Sequence, residues 1–462
     1  MVATFGHGGP GLPVAVVGAG FSGTMVALHL AETLPPGQGV LLCERDDFAC
    51  GPAYATGNAG HLLNVRASNM SAFPDRPAHF ADWLDVVRRD CPDLVQETDA
   101  GLFASRGLYR RYLGALLDRA VAGAPGRVAT LPGEIVDMSR EGAAWRLHTA
   151  AGTNFLAASV VLAVGNLPPV ATENRLHRTD PWAPGTTEGL RPDLPVLILG
   201  TGLTMIDLAL ALRDGGFAGK VIALSRRGLL SHRHAATLPW PTPELSHAER
   251  GSLALLLGRV RWEVQLAAAR GVDWRGVVDS LRPVTADIWR SLPAADRDRF
   301  LRHLRPYWDI HRHRLAAPVA ARLAALRDSG FLQIWRGRVG GMRFAADRVA
   351  VAIRRHGAAA AETLEVQRVI SATGLQSAAE ADSRLVRALR ARGLARLDPW
   401  NFGLDVTDTL SLRDAAGRPV PGLHALGPIV RGVFWECIAV PDVRVQAQTV
   451  ARRIGAALAA RD

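Results

Sequence analysis

The amino-acid sequence predicts an α/β fold of two doubly wound domains, the second inserted in the first and carrying a mostly helical insertion. Three observations predict it. Two β-rich runs, each broken by glycines and followed by helically spaced apolar residues, stand at 13–31 ("PVAVVGAGFSGTMVALHLA") and 194–210 ("LPVLILGTGLTMIDLAL"). One apolar strand ending in small residues follows downstream of each, in "SVVLAVGNLPP" (159–169) and "RVISATGLQ" (368–376), where glycine lets the chain leave the strand end sharply. The chain closes with "HALGP", a loop and a long amphipathic helix starting near Pro441, so both of its ends would build the first domain around the second.

Composition bounds the class. The chain has 462 residues, 48% of them apolar, enough for two or three domains with sizeable cores. Cys43, Cys50, Cys91 and Cys437 form no C-x-x-C pair, which argues against a disulfide framework, a metal centre and a dithiol redox centre, and fits a reducing cytoplasm. The opening "MVATFGHGGPGLP" has no basic region followed by an apolar core, and no run of about 18 apolar residues occurs, so neither a secretory signal nor a membrane span is expected. The net charge of +11 is almost wholly arginine, spread along the chain with Lys220 the single lysine. Without a basic-aromatic module this reads as compositional bias, and nucleic acid is not an expected partner.

In the first turn, Gly18-x-Gly20-x-x-Gly23 follows a short strand and opens a helix. Gly18 permits the tight turn, Gly20 lets backbone approach a pyrophosphate, Gly23 lets helix and strand pack closely, and Phe21 and Ser22 supply N–H groups at the helix N-terminus. "GVLLCERD" then forms a second strand ending in Glu44 and Arg45, with Glu44 spaced to accept hydrogen bonds from an adenosine ribose, as in an FAD site. This is a Rossmann-like dinucleotide-binding unit.

The second turn repeats the logic with a difference. Gly200-x-Gly202 leads into Thr204, and Met205 stands where the third glycine would be. The next strand, "KVIALSRRG", ends in Ser225-Arg226-Arg227 instead of an acid. A carboxylate would repel a 2′-phosphate on the ribose, whereas guanidinium groups bind it through parallel charged hydrogen bonds, so NADPH is the expected second nucleotide. The loop "SHRHAATLPWP" (231–241), with His232 and His234, would border its groove.

Proline clustering between Pro168 and Pro195 reads as a linker, and the stretch after Arg227 is helical to about residue 330. The expected boundaries are 1–185 for the first part of the FAD-binding domain, 186–330 for the NADPH-binding domain with its helical insertion, 331–376 for the end of that domain and its return strand, and 377–462 for the second part of the FAD-binding domain.

The order of "GAGFSG", "AVGNLPP", "GTGLT", "SRRG", "SATG" and "HALGP" resembles the two-dinucleotide flavoproteins, especially flavin-containing, Baeyer-Villiger and N-hydroxylating monooxygenases. The stretch 51–84, with "YWDIHRHR" and "FWECIAVPDVR", is similar to bacterial FAD/NAD(P)-binding proteins, and some similar flavoproteins are urate hydroxylases. The resemblance implies that Asn64, Arg66 and Ser68 lie near the isoalloxazine and that Gly427 belongs to the C-terminal flavin motif. Pro428 stands where that motif usually has aspartate.

The implied function is an FAD-dependent, NADPH-using oxidoreductase, a monooxygenase of small molecules in which NADPH reduces FAD and reduced flavin activates oxygen. A reductase or dehydrogenase without oxygen transfer, and a flavin-binding redox sensor, are the alternatives. Asn64, Arg66 and His311 are the catalytic candidates. The cluster Arg305, Trp308, His311, Arg312, His313 and Arg314 reads either as a surface for a planar or anionic substrate or as a packed helix with solvated arginines; His311 and Arg314, three apart, would share a face with Trp308. Trp435 and Glu436 carry the same two readings, a catalytic acid or a buried tryptophan with a paired glutamate.

Overall fold

The strands Val14–Val17 and Ser159–Leu162 are buried at every position, on both faces, and are apolar at all but Ser159. They lie at the centre of a six-stranded sheet. Its order is Ser411–Arg413, Pro419–Ala425, Ser159–Leu162, Val14–Val17, Val40–Glu44, Val128–Pro132, parallel throughout except for the first, edge strand. The computed structural model describes residues 11–123, 126–170, 174–374 and 377–460. The start of the chain read for a signal, up to residue 10, and the boundary placed at 376 lie outside the described residues.

Helices Phe21–Thr33 and Val440–Ala459 pack on each other beside this sheet. The contact is close because Gly455 lacks a side chain; a Cβ there would stand 2.5 Å from the Thr33 carbonyl oxygen. Residues from both ends of the chain therefore share one core.

A second sheet of seven strands has the order His177–Arg178, Arg368–Ser371, Val196–Leu199, Val221–Ser225, Leu332–Phe344, Val349–Arg355, Glu362–Val366. Pairing is parallel as far as Leu332–Phe344 and antiparallel for the last two strands. Four neighbours of this sheet repeat the first: return strand, turn strand, next strand, fourth strand. One boundary differs from the sequence expectation. His177 and Arg178 pair with Val369 and Ile370, so the chain joins the second sheet before residue 186. A two-residue strand is too short to show a hydrophobic period, which is why only the prolines around it were readable.

One feature had no sequence expectation, and the helical insertion is found where it was expected. Strands Ile135–Glu141, Ala144–Thr149 and Asn154–Ala157 form an antiparallel sheet around the fully buried Trp145. Between the fourth and fifth strands of the second sheet, the helical stretch contains Leu253–Ala269, Trp274–Ser280, Thr285–Ser291, Arg305–Arg312 and Ala317–Asp328 among shorter turns. Ser252 and Asp273 cap two of these helices, accepting from Leu255 N–H and Arg275 N–H. This insertion leans on the first domain: the Trp289 indole donates to the Gly432 carbonyl at 2.9 Å, and the Trp400 indole donates to Asp298 at 2.7 Å.

Candidate active site at the two glycine turns and the insertion

The two turns are built alike. Gly18 N–H donates to the Cys43 carbonyl at 2.9 Å and Gly200 N–H to the Leu224 carbonyl at 2.8 Å. Both glycines have positive φ, +98° and +115°, and both press against the return strand, where a Cβ would meet the carbonyl oxygen of Ala163 at 2.5 Å or of Ala372 at 2.2 Å. No other residue fits either position. Gly20 and Gly202 each stand at the N-cap of the following helix.

Their third positions differ, as the sequence does. A Cβ on Gly23 would lie 1.7 Å from the Gly18 carbonyl oxygen, so the first helix sits directly on its turn. Met205, at the matching place, is fully buried and becomes part of the second domain's core. Gly20 meets a neighbour the sequence did not announce: its missing Cβ faces the Gly51 backbone at 3.6 Å, an ordinary contact that leaves the approach to the helix N-terminus free of side chains.

Strand register equates Glu44 with Ser225, each following a paired residue, Cys43 or Leu224. Half-buried Glu44 accepts from Ala19 N–H at 2.7 Å and Arg45 N–H at 2.8 Å, which fixes the carboxylate beside the turn with lone pairs left for a hydroxyl. Arg45 is exposed and turns to Asp46. In the second domain the Ser225 hydroxyl meets Thr201 at 3.0 Å and accepts from Gly228 N–H at 2.9 Å. Arg226 is exposed and makes no hydrogen bond or ion pair among the described residues. Arg227 is engaged: it donates to the carbonyls of Arg302 and His303, at 3.3 and 3.5 Å, and lies 5.7 Å from the Tyr307 ring. The structure thus separates two residues that the sequence presented as a pair. Thr204, in the first turn of its helix, is half-buried.

At the carboxyl ends of the first sheet, a crevice is lined by Gly165, Asn166, Leu167, Pro428 and Ile429. Gly427 has φ +75° and stands against Ser22, whose hydroxyl a Cβ there would meet at 2.6 Å. Its N–H donates to Gln446 at 2.9 Å, so a side chain of the C-terminal helix reaches this turn, while Pro428 opens a short 3₁₀ segment. The residues of the first turn, Glu44 and Gly427 fit a dinucleotide: they present bare backbone, a helix N-terminus and a positioned carboxylate at one sheet edge.

Asn64 and Arg66 face the loop after the second turn. The Asn64 carbonyl accepts from His234 Nε2–H at 3.0 Å, and Arg66 donates to the Ala235 carbonyl at 3.4 Å. Burial first, and Arg314 and Arg66 nearby, push the His234 pKa down to about 4, so this imidazole is neutral. It joins the insertion loop to the first domain through Asn64. Ser68 is exposed.

The cluster near His311 is brought together, but not on one helix face. The helix ends at Arg312, so Arg314 lies beyond it, next to the Arg233–Leu315 bridge. Trp308 and His313 turn to Glu436, at 2.8 and 3.5 Å, while His311 packs against His232 and Trp274 with ring centroids 4.7 and 4.8 Å away. Buried Glu436 has φ +73°, a strained value for a non-glycine residue. Burial alone would raise its pKa; His313 and Arg312, with the Trp308 N–H, outweigh that and hold it at about 2. Glu436 is therefore an ionised anchor between domain and insertion, not a proton donor at neutral pH. Trp435 stacks on Trp289 at 4.8 Å. Among the described residues no group of three or more His, Cys, Asp or Glu could hold a metal ion. No helix among them is long and apolar enough to cross a membrane.

Sequence reasoning missed Trp274, Asp279, Gln446 and the Arg106–Asp207 ion pair, 2.7 Å, that ties the two domains. Only Asp207 lies in a quoted stretch, 194–210, and its partner Arg106 is distant in sequence.

Residues 15–167 match the model of a family described as FAD-NAD(P)-binding. A search of curated proteins found no match. Among solved structures, ornithine N-hydroxylase of Kutzneria sp. 744, determined with FADred, NADP+ and L-orn, superposes with a TM-score of 0.63 at 13% identity over 98% of this chain and 100% of that one. L-lysine 6-monooxygenase of Pseudomonas syringae gives 0.61 at 17% identity, over 97% and 100%. Bacillithiol disulfide reductase of Bacillus cereus gives 0.51 at 12%, over 97% and 100%. The chain carries an FAD/NAD(P)-binding domain and has the fold of the two-dinucleotide-domain flavoproteins.

Proposed function

We propose that this chain is an FAD-dependent, NADPH-using oxidoreductase that hydroxylates a small molecule. The observation that carries the reading is the duplicated turn with opposite readers: a carboxylate, Glu44, fixed beside the first turn, and at the equivalent place in the second a serine followed by the free Arg226. The first suits a ribose hydroxyl and the second a ribose phosphate. Likeness in fold to ornithine and lysine hydroxylases, together with a sequence lacking C-x-x-C, favours oxygen transfer over dithiol reduction.

FAD, when bound, supplies the redox chemistry, accepting hydride from NADPH and delivering electrons to oxygen. The chain's own residues bind and orient. Gly18, Gly20 and the helix N-terminus would hold the FAD pyrophosphate, with Ser22 and Gly427 beside it, and Glu44 the ribose. Gly200, Gly202 and Thr204 would hold NADPH, with Arg226 on its phosphate. Asn64 and Arg66 line the junction where the domains meet, against His234 and Ala235.

The test is turnover by the purified protein. FAD released on denaturation, with NADPH oxidation that places an atom of labelled oxygen in an organic product, is the expected result. NADPH oxidation with all oxygen recovered as peroxide, across amine, amino-acid and heterocyclic substrates, would replace hydroxylase by reductase. Protein that neither holds nor takes up FAD would remove both.

A further inference from the structure

Arginines buried without acceptors are costly, and several meet at the junction of the insertion with the first domain. Arg314 is 1% exposed and Arg312 8%. Arg314 donates Nη2 to Asp279, which leaves its Nε and Nη1 without a partner among the described residues. Arg312 keeps Nε and Nη2 without a hydrogen bond; its Nε is ion-paired at 3.6 Å with Glu436 Oε2, which likewise has no hydrogen-bond partner among the described residues. The Nε of Arg66 is also buried and unpartnered. These groups feel one another: burial, and after it Arg312 and Arg66, lower the Arg314 pKa against the opposing pull of Asp279.

The charges do not balance. Arg66, Arg282, Arg312 and Arg314 face Asp279, Glu436 and Asp442, and Glu436 is already shared with Trp308 and His313. One positive charge is in excess among these seven groups; Arg312 and Arg314 are buried, while Asp279 reaches solvent. Beside it lies a wall of rings. The Arg314 guanidinium is 5.8 Å from the Trp274 ring, which packs against His232 and His311.

We propose that Arg312 and Arg314, with Arg66 beside them, are the receptor for a carboxylate of the substrate. The assignment rests on the reading of the chain as a flavoenzyme acting on a small molecule, and it makes that molecule an anion. The coenzyme phosphates have their own stations at the two turns and Arg226. The Nε and Nη2 of Arg312 form a parallel fork that a carboxylate pairs with and an amide cannot match, while Arg314, its Nη2 held by Asp279, adds single N–H groups. Arg312 and Arg314 come from the insertion and Arg66 from the first domain, so a bound carboxylate would also latch the two together.

The experiment is calorimetric titration of the purified full-length protein with acetate, succinate and benzoate, each against its amide, with FAD content and NADP+ affinity measured on the same samples. At least one carboxylate binds about tenfold or more tightly than its amide, a difference of about 1.4 kcal/mol, and Arg312→Gln and Arg314→Gln each abolish that preference while FAD content and NADP+ affinity stay unchanged. Equal binding of acids and amides, or no binding of any acid, overturns the proposal. So does loss of FAD or NADP+ in step with the acid, which would give the arginines to a coenzyme. If the glutamine variants fail to fold, Arg312→Lys, which keeps the charge and loses the fork, must weaken the acid preference in melting-verified protein; an unchanged preference there overturns the proposal. Colourless protein that still prefers acids would remove the flavoenzyme reading and leave the receptor, whereas yellow protein without the preference removes the receptor alone.

Discussion

Arg226→Ala tests the second nucleotide site where the structure is most specific. Arg226 and Arg227 are adjacent, yet only Arg226 is free, because Arg227 spends its Nη2 on the carbonyls of Arg302 and His303. A charged hydrogen bond to phosphate contributes about 1.5–3 kcal/mol, and the exposure of Arg226 places its share at the lower end. Alanine should therefore cut kcat/KM for NADPH by about 10- to 30-fold. NADH has no 2′-phosphate, so its kcat/KM should hardly move. Arg227→Ala should behave differently: loss of the contacts to the insertion lowers thermal stability, and coenzyme preference stays nearly wild type. The assay is steady-state oxidation of both coenzymes by both variants, with melting temperatures on the same preparations. An unchanged NADPH/NADH ratio in Arg226→Ala, or a collapsed ratio in Arg227→Ala alone, refutes this division of labour.

Three other outcomes are expected. Gly23→Ala places a Cβ 1.7 Å from the Gly18 carbonyl oxygen, so the first helix must move off its turn; the variant should lose about 1–3 kcal/mol in urea unfolding and most of its bound FAD, read by absorbance. Asp207→Asn strips Arg106 of its 2.7 Å partner between the domains and should cost about 1.5–3 kcal/mol by the same assay; no change in midpoint would show that the pair is idle. On acidification, His234 titrates near 4 when folded and 6.5 when unfolded, so the unfolded chain binds the proton first and stability falls from pH 6.5 towards 4. His424, also held at about 4 by burial, adds to that fall, and Glu436 adds a further one between 4.5 and about 2. His234→Gln should flatten the upper part of the urea-midpoint profile, and an unaltered slope would contradict the assignment.

Much of the site was legible because turns are local. The tight turn expected at Gly18 and the close packing expected at Gly23 are local demands, met by the Ala163 carbonyl and the Gly18 carbonyl, and Gly200 repeats the first against Ala372. The offset from each turn to Glu44 or Ser225 is legible for the same reason: strand register carries it. Gly20 was half legible; its open backbone is as expected, but the Gly51 contact comes from a segment with no pattern. Arg226 and Arg227 looked alike because sequence records charge and not direction.

The helical cluster failed in an instructive way. His311 and Arg314 are three apart, which on a continuous helix would align them, but the helix ends at Arg312. They nonetheless meet, through Trp274, on a helix that begins 37 residues earlier than His311 in the chain. Likewise the unpartnered guanidinium groups of Arg312 and Arg314 could not be told from the many other arginines until burial separated them from solvent.

By itself the sequence determined the α/β alternation, both glycine turns and the opposite chemistry at their ends, since each follows from backbone sterics and charge within a single βαβ unit. Only the tertiary structure decided that Arg227 is occupied, that Glu436 is an ionised anchor, and that Arg312 and Arg314 are buried where four arginines meet three carboxylates. Those are properties of long-range packing and desolvation, and no local spacing encodes them.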